Sequence, residues 1–119
     1  MFTEFKGALT ENYVLQSLIN QLEVNPRYWG QNNPPYEVDF LIQIDNDIFP
    51  VEVKSETNVS SKSLKKFKEL FPDDVKLRVR FSMENLRLDD DVLNIPLFLV
   101  DHTSKLIGLA LTKMVRNRT

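Results

Sequence analysis

The residues best suited to chemistry lie between positions 37 and 54, where Asp39 is followed by Glu52 and Lys54. Side chains alternate between the two faces of a strand, so Glu52 and Lys54 share a face if this stretch is extended. Two carboxylates and an ammonium group on one sheet face are hard to explain by stability, because the same strands already present an apolar face. Two neighbouring carboxylates can instead bind a shared cation. These three side chains are the first candidates for a functional site.

A tight turn positions Asp39, Glu52 and Lys54. The sequence Asp45-Asn46-Asp47 separates two strand-like runs and predicts an antiparallel hairpin with a two-residue loop. A loop formed by the last two of these residues pairs Asp39 with Lys54, whereas a loop formed by the first two pairs Asp39 with Glu52. Either register gathers the three charged side chains on one face, with the carboxylates diagonal or directly opposite and so roughly 5–8 Å apart at Cβ. A three-residue loop would break the apolar face, so the hydrophobic pattern disfavours it.

Composition narrows the class of protein. The 119 residues are 42% hydrophobic and 27% charged, which predicts one domain over 1–119 with a real core. The absence of cysteine excludes thiolate zinc sites, disulfides and cysteine nucleophiles. A net charge of −2 does not suit a general nucleic-acid binder, so any such contact must be local or assisted. We find no membrane-length apolar run and no signal peptide, and therefore expect a soluble, cytoplasmic protein without a membrane partner.

The rest of the chain predicts an α/β fold, a sheet with helices on both sides. Helices are expected at about residues 4–22, ended by Asn25-Pro26, and from Ser60 or Ser61 to about residue 71. Besides the hairpin, strands are expected at about residues 27–30, 76–81 and 95–100, with solvated loops at 31–35 and 89–91 and a helix slightly favoured over 103–114.

The first predicted helix carries one unusual residue. Glu11 falls on its apolar stripe, between Ala8 and Leu15, so we expect the carboxylate to point toward the sheet. A buried carboxylate is costly unless it is paired or binds a cation. If this helix covers the polar face of the hairpin, Glu11 joins Asp39 and Glu52.

Taken together, Glu11, Asp39 and the motif Glu52-Val53-Lys54 resemble the PD-(D/E)XK nuclease superfamily, although Val38 stands where the superfamily name has proline. The resemblance implies a restriction-endonuclease-like αβββαβ core with a central mixed sheet flanked by helices. Over about residues 5–100 the chain looks most like the C-terminal domain of unknown function of prokaryotic AAA-type ATPases. The segments that carry this likeness are 6–14, 37–42, 50–54, 62–67 and 94–98.

This kinship implies an ATPase module in the parent chain, but the sequence has no Gly-rich phosphate loop ending in Lys-Ser or Lys-Thr. We therefore expect either a domain excised from a longer ATPase chain or a stand-alone relative. In the first case the ATPase module is a partner within the same chain.

The nuclease resemblance also implies roles. Asp39, Glu52 and the Val53 carbonyl would form an all-oxygen site for Mg²⁺ or Mn²⁺, with no small-molecule cofactor, and Glu11 would complete the ligand shell. Lys54 would orient or deprotonate the attacking water, and DNA is the expected partner, with RNA as the alternative. Lys62, Lys65 and Lys66 of the second helix are the expected backbone-phosphate contacts. Two alternatives stay open: a catalytically silent accessory or regulatory domain of an AAA-type ATPase, and a purely structural ion network.

Overall fold

The computed structural model describes residues 2–22, 29–32, 35–54 and 62–117. Its helices are α1 (Phe2–Gln21), α2 (Lys62–Leu70) and α3 (Thr103–Asn117), with a 3₁₀ helix at Leu97–His102. Its strands are β1 (Trp29–Asn32), β2 (Pro35–Val38), β3 (Phe40–Ile44), β4 (Asp47–Val53), β5 (Arg78–Ser82), β6 (Arg87–Asp89) and β7 (Val92–Pro96). Asn25-Pro26 and Ser60-Ser61, the predicted helix boundaries, lie outside the described residues.

The central sheet has five strands in the order β3-β4-β5-β7-β6. Strands β4, β5 and β7 run parallel, whereas β3 and β6 pair antiparallel at the two edges. Strands β1 and β2 form a separate antiparallel ribbon. The predicted α/β class, with a mixed sheet flanked by helices, is confirmed.

The β3–β4 hairpin adopts one of the two predicted registers. Ile44 pairs with Asp47, which leaves Asp45-Asn46 as a two-residue loop. Asp45 has a φ of 54° there, in the left-handed region that aspartate and asparagine tolerate better than most residues. Because Phe40 consequently pairs with Val51, Asp39 lies beside Glu52.

The two faces of the sheet are covered by different helices. Val51 and Val53 lie with the larger core cluster, which includes Val14 and Leu18 of α1 as well as Ile107 of α3. A smaller cluster on the opposite face joins α2 to β2, β3 and β4. Its members are Val38, Leu64, Phe67 and Val75, with Leu41, Ile48 and Phe71 packed against them. Fully burying a leucine or phenylalanine contributes about 1.5–3 kcal/mol, so each cluster anchors its helix firmly.

The C-terminal third differs most from expectation. The strand predicted at about 95–100 is instead β7 (Val92–Pro96), and the chain turns into the 3₁₀ helix after Pro96. Strand β6 is only three residues long, too short for a hydrophobic alternation to reveal it. The acidic run 89–91 was expected to be a solvated loop, which is wrong for Asp91, a residue only 6% exposed. The helix favoured over 103–114 is present as α3.

None of the helices in the described part of the chain has both the length and the apolar character that crossing a membrane requires.

Candidate functional site

Asp39 is fixed beside β4 by two backbone hydrogen bonds. It lies between β2 and β3, where its own N–H donates to the carbonyl of Val51 at 3.0 Å. The Val53 N–H donates to Asp39 Oδ2 at 2.7 Å, so β4 also holds the carboxylate itself. A carboxylate that accepts a backbone N–H is oriented by the fold rather than by a flexible partner.

Glu52 is a buried carboxylate that is only partly satisfied. The residue is 5% exposed, and it points away from the larger core cluster because Val51 and Val53 point toward it. Lys54 Nζ lies 3.3 Å from Oε1. Oε2 is also buried, and it has no hydrogen-bond partner among the residues that the structure describes. A buried acceptor without a partner costs about 1–3 kcal/mol, more when it is charged, so this oxygen calls for an explanation.

The electrostatics of Glu52 link it to three neighbours. Burial raises its pKa above the ordinary value of 4.5, and the charge and hydrogen bond of Lys54 oppose this increase. The negative charge of Asp39 raises the pKa further, whereas the positive charge of Arg80 lowers it. Asp39, Glu52 and Lys54 therefore form one electrostatic unit, as the hairpin pattern predicted.

Arg80 is a member of the site that the sequence did not reveal. Parallel pairing of β4 with β5 places it opposite Glu52, and pairing of β5 with β7 places it opposite Asn94. Arg87 of β6 also lies opposite Asn94. A polar row formed by Asp39, Glu52, Arg80, Asn94 and Arg87 thus crosses the sheet. Alternation marked Arg80 as a polar strand position, but only the strand order shows what lies next to it.

A hydrogen-bonded cluster holds Arg80 in place. Its Nε donates to Asn94 Oδ1 at 3.0 Å, and the Ser82 hydroxyl donates to the same oxygen at 2.6 Å. The amide nitrogen of Asn94 donates to the carbonyls of Glu84 and Asn85 at 3.2 and 2.9 Å. Asn94 is almost fully buried, so these bonds fix both the arginine and the loop after β5.

Glu11 lies differently from expectation. It is half-buried, but Val14 and Leu18, which continue its stripe along α1, pack in the core cluster on the face opposite Glu52. Helix α1 therefore does not cover the polar face, as it would need to if Glu11 were to join Asp39 and Glu52 from above. The role of Glu11 in the site stays a prediction.

The lysines predicted to contact phosphate lie on α2, which packs on the same face as Glu52. Lys62 and Lys65 are exposed, and Lys66 is half-buried. Their contact with nucleic acid stays a prediction.

The donor set of the site fits Mg²⁺ or Mn²⁺ better than a metal that needs a full protein cage. In the described part of the chain, no three His, Cys, Asp or Glu side chains are grouped to hold an ion. Mg²⁺ keeps several waters and is commonly bound by one or two carboxylates together with substrate phosphates. Glu52 Oε2, which accepts no hydrogen bond from any described residue, and the neighbouring Asp39 carboxylate match that requirement.

Comparison with known proteins gives one family. The model of a family described as a domain of unknown function (DUF4143) matches residues 6–98. No curated protein and no solved structure is significantly similar to the chain.

Proposed function

We propose a function for this chain from the chemistry of its polar sheet face. The chain belongs to the DUF4143 family of domains of unknown function. The chain is a metal-dependent nuclease that hydrolyses phosphodiester bonds of DNA, and its cofactor is Mg²⁺ or Mn²⁺. The relation to PD-(D/E)XK nucleases is part of the same proposal.

The observation that carries the proposal is Glu52 Oε2, a buried oxygen for which the described part of the chain supplies no hydrogen-bond partner. A buried charge is normally paired, and groups left unsatisfied in a folded protein concentrate at functional sites. Glu52 has an acid neighbour in Asp39, which makes the unpaired oxygen costlier still without a cation. A divalent ion would satisfy both carboxylates at once.

Each residue then has a defined task. Asp39, oriented by the Val53 N–H, and Glu52 hold the ion with oxygen ligands. Lys54 is half-buried, so it reaches both Glu52 and the solvent side, where it orients the attacking water and offsets charge on the phosphate. A bound metal ion would supply polarisation of a phosphodiester oxygen and a lower pKa for a water molecule.

The direct test is cleavage of plasmid and single-stranded DNA with Mg²⁺ or Mn²⁺. We expect Lys54→Ala to lower the rate about 100-fold or more, the usual contribution of a positioned catalytic group. Asp39→Asn removes the charge but keeps an acceptor for the Val53 N–H, so it should abolish cleavage while leaving the hairpin folded. Circular dichroism and unfolding curves check the fold of each variant.

The matched control is Lys105→Ala. Lys105 is exposed on α3, which packs on the other face of the sheet, so its loss removes one positive charge without touching the site. Absence of cleavage by the wild-type chain with either metal, or equal rates for Lys54→Ala and Lys105→Ala, would overturn the proposal.

A second candidate is a catalytically silent accessory or regulatory domain of an AAA-type ATPase. It is favoured by the contact of Lys54 with Glu52 at 3.3 Å, which partly neutralises the site without a metal, and by the net charge of −2. This reading expects neither cleavage nor a change in melting temperature on addition of Mg²⁺ or Mn²⁺.

A further inference from the structure

Two arginines converge on one carboxylate oxygen at the far end of the polar row. Arg80 Nη2 lies 3.7 Å from Glu84 Oε2, and Arg87 Nη2 lies 3.9 Å from the same atom. The two residues, called the arginine pair below, come from β5 and β6 and share Asn94 as their neighbour on β7. Their positive charges therefore meet at a single point.

The ion pairs between Glu84 and the two arginines are loose. Both distances are within ion-pair range but beyond the 2.7–3.2 Å of an N–H···O hydrogen bond. The Glu84 side chain is 43% exposed, and surface pairs of this kind contribute only about 0–1 kcal/mol. A stronger anion can thus replace the carboxylate at little cost.

Arg80 is held more firmly than Glu84, and Arg87, whose side chain is 59% exposed, is paired at the surface. Arg80 is anchored through Nε on the buried Asn94, and its side chain is only 12% exposed. Arg87 Nε contacts Asp89 Oδ2 at 2.6 Å, which leaves its contact with Glu84 to a different nitrogen. Cations that are already oriented lose less conformational entropy when they bind a ligand.

We propose that the arginine pair binds a backbone phosphate of the nucleic-acid substrate, with Glu84 as the anion that the phosphate displaces. This inference rests on the proposed nuclease function. Planar guanidinium groups form two-point, charge-assisted hydrogen bonds with phosphate. A local site of this kind is what a chain with a net charge of −2 needs.

The location suits such a role. Neighbouring strands are about 4.8 Å apart, so Arg80 lies one strand spacing from Glu52 across the sheet. A surface pocket of about 430 Å³, lined by Met83, Glu84, Asn85, Leu86 and Arg87, opens this end of the row to solvent. A strand crossing the sheet along the row would therefore meet Arg80 next to the proposed cleavage site and Arg87 two strands further along.

Binding without cleavage tests the proposal. The probe is a fluorescent 20-nucleotide single-stranded DNA, a length of about one to several site sizes, and its anisotropy is measured in EDTA. Arg87→Ala should weaken binding several-fold and lower the slope of log K against log salt by about 0.7. Glu84→Gln should strengthen binding, because the displaced anion is gone.

Two matched variants separate this site from general charge effects. Lys105→Ala removes a positive charge at an exposed position of α3, on the opposite face. Asp45→Asn removes a negative charge at an exposed position of the β3–β4 loop, which belongs to the other edge of the sheet, and asparagine also tolerates the positive φ found there. Equal weakening by Arg87→Ala and Lys105→Ala would overturn the proposal. So would a failure of Glu84→Gln to bind more tightly than Asp45→Asn, or an absence of any binding by the wild-type chain.

The outcome can be told apart from failure of the nuclease proposal. If binding follows the expected order but no cleavage occurs in Mg²⁺ or Mn²⁺, the phosphate site is supported and the nuclease proposal is contradicted. If the wild-type chain cleaves DNA but Arg87→Ala and Glu84→Gln leave binding unchanged, the phosphate site is contradicted and the nuclease proposal stands.

Discussion

Asp91 and Glu52 are both buried carboxylates, and the fold treats them in opposite ways. Asp91 accepts two hydrogen bonds from Arg78, at 2.6 and 3.1 Å, and lies 3.3 Å from Lys68 Nζ. Burial alone would raise its pKa, but the bonds and charges of Arg78 and Lys68 prevail and lower the pKa below 3.8. Glu52 contacts Lys54, its other oxygen has no hydrogen-bond partner among the described residues, and its pKa is raised.

The difference separates a structural site from a candidate functional one. Asp91 joins α2 to the turn between β6 and β7, and its contacts with Arg78 and Lys68 outweigh the cost of its burial. Glu52 costs the folded state free energy, and a chain tolerates such a cost where a ligand later compensates for it. The predictions below test this contrast, starting with the largest expected effect.

The largest effect is expected from Asp91→Ala. This change leaves Arg78, whose side chain is 14% exposed, without its carboxylate partner. Removing one partner of a buried ion pair typically costs about 3–5 kcal/mol. Urea unfolding should show this as a lower midpoint with an unchanged slope.

Asp89→Ala is the matched control. Asp89 is in the same hairpin and contacts Arg87 at 2.6 Å, but both side chains are exposed. Its loss should cost no more than about 1 kcal/mol. Equal losses of unfolding free energy in Asp91→Ala and Asp89→Ala would contradict the structural role of Asp91.

The next effect is stabilisation by Mg²⁺ or Mn²⁺. A metal that binds only the folded chain adds about 2.7 kcal/mol at 100 times its Kd, read as a rise in melting temperature. The rise should persist in Asp89→Ala and disappear in Asp39→Asn. A wild-type melting temperature that does not respond to either metal would favour the accessory-domain reading.

The hairpin explains why this site was largely predictable from the sequence. Period-two alternation and the Asp45-Asn46-Asp47 turn restricted the pairing to two registers, and both of them placed Asp39, Glu52 and Lys54 on one face. Choosing between the registers required the positive φ of Asp45, which no local pattern dictates. Local signals were sufficient because one tight turn joins the two strands and limits how they can pair.

Arg80 and Asp91 were not predictable for the opposite reason. Their partners lie on elements that no single tight turn joins to their own, and a parallel sheet order cannot be read from local periodicity. Asp91 also sits in a run of three aspartates that is typical of a solvated turn. Arg78 and Lys68, which form ion pairs with Asp91, are identified only by the tertiary structure.

A smaller effect is expected from Glu52→Gln without metal. The neutral amide removes the desolvation cost of the charge, and Lys54 is exposed enough to turn toward water. Stability should stay within about 1 kcal/mol of wild type. A loss as large as that of Asp91→Ala would place Glu52 in a structural ion network instead.

The subtlest signal is the pH dependence, which should have opposite signs at the two residues. Asp91 has a lowered pKa, so its contribution to stability is present above pH 3.8 and is lost as the pH falls below that value. Glu52 has a raised pKa, so the folded chain holds its proton more tightly than the unfolded chain, and stability falls as the pH rises above 4.5. Unfolding free energies measured across this range should therefore favour Glu52→Gln over wild type increasingly as the pH rises from 4.5. A difference that is flat, or that shrinks with rising pH, would mean that Glu52 is satisfied in the folded chain much as Asp91 is, and the contrast between the two sites would fail.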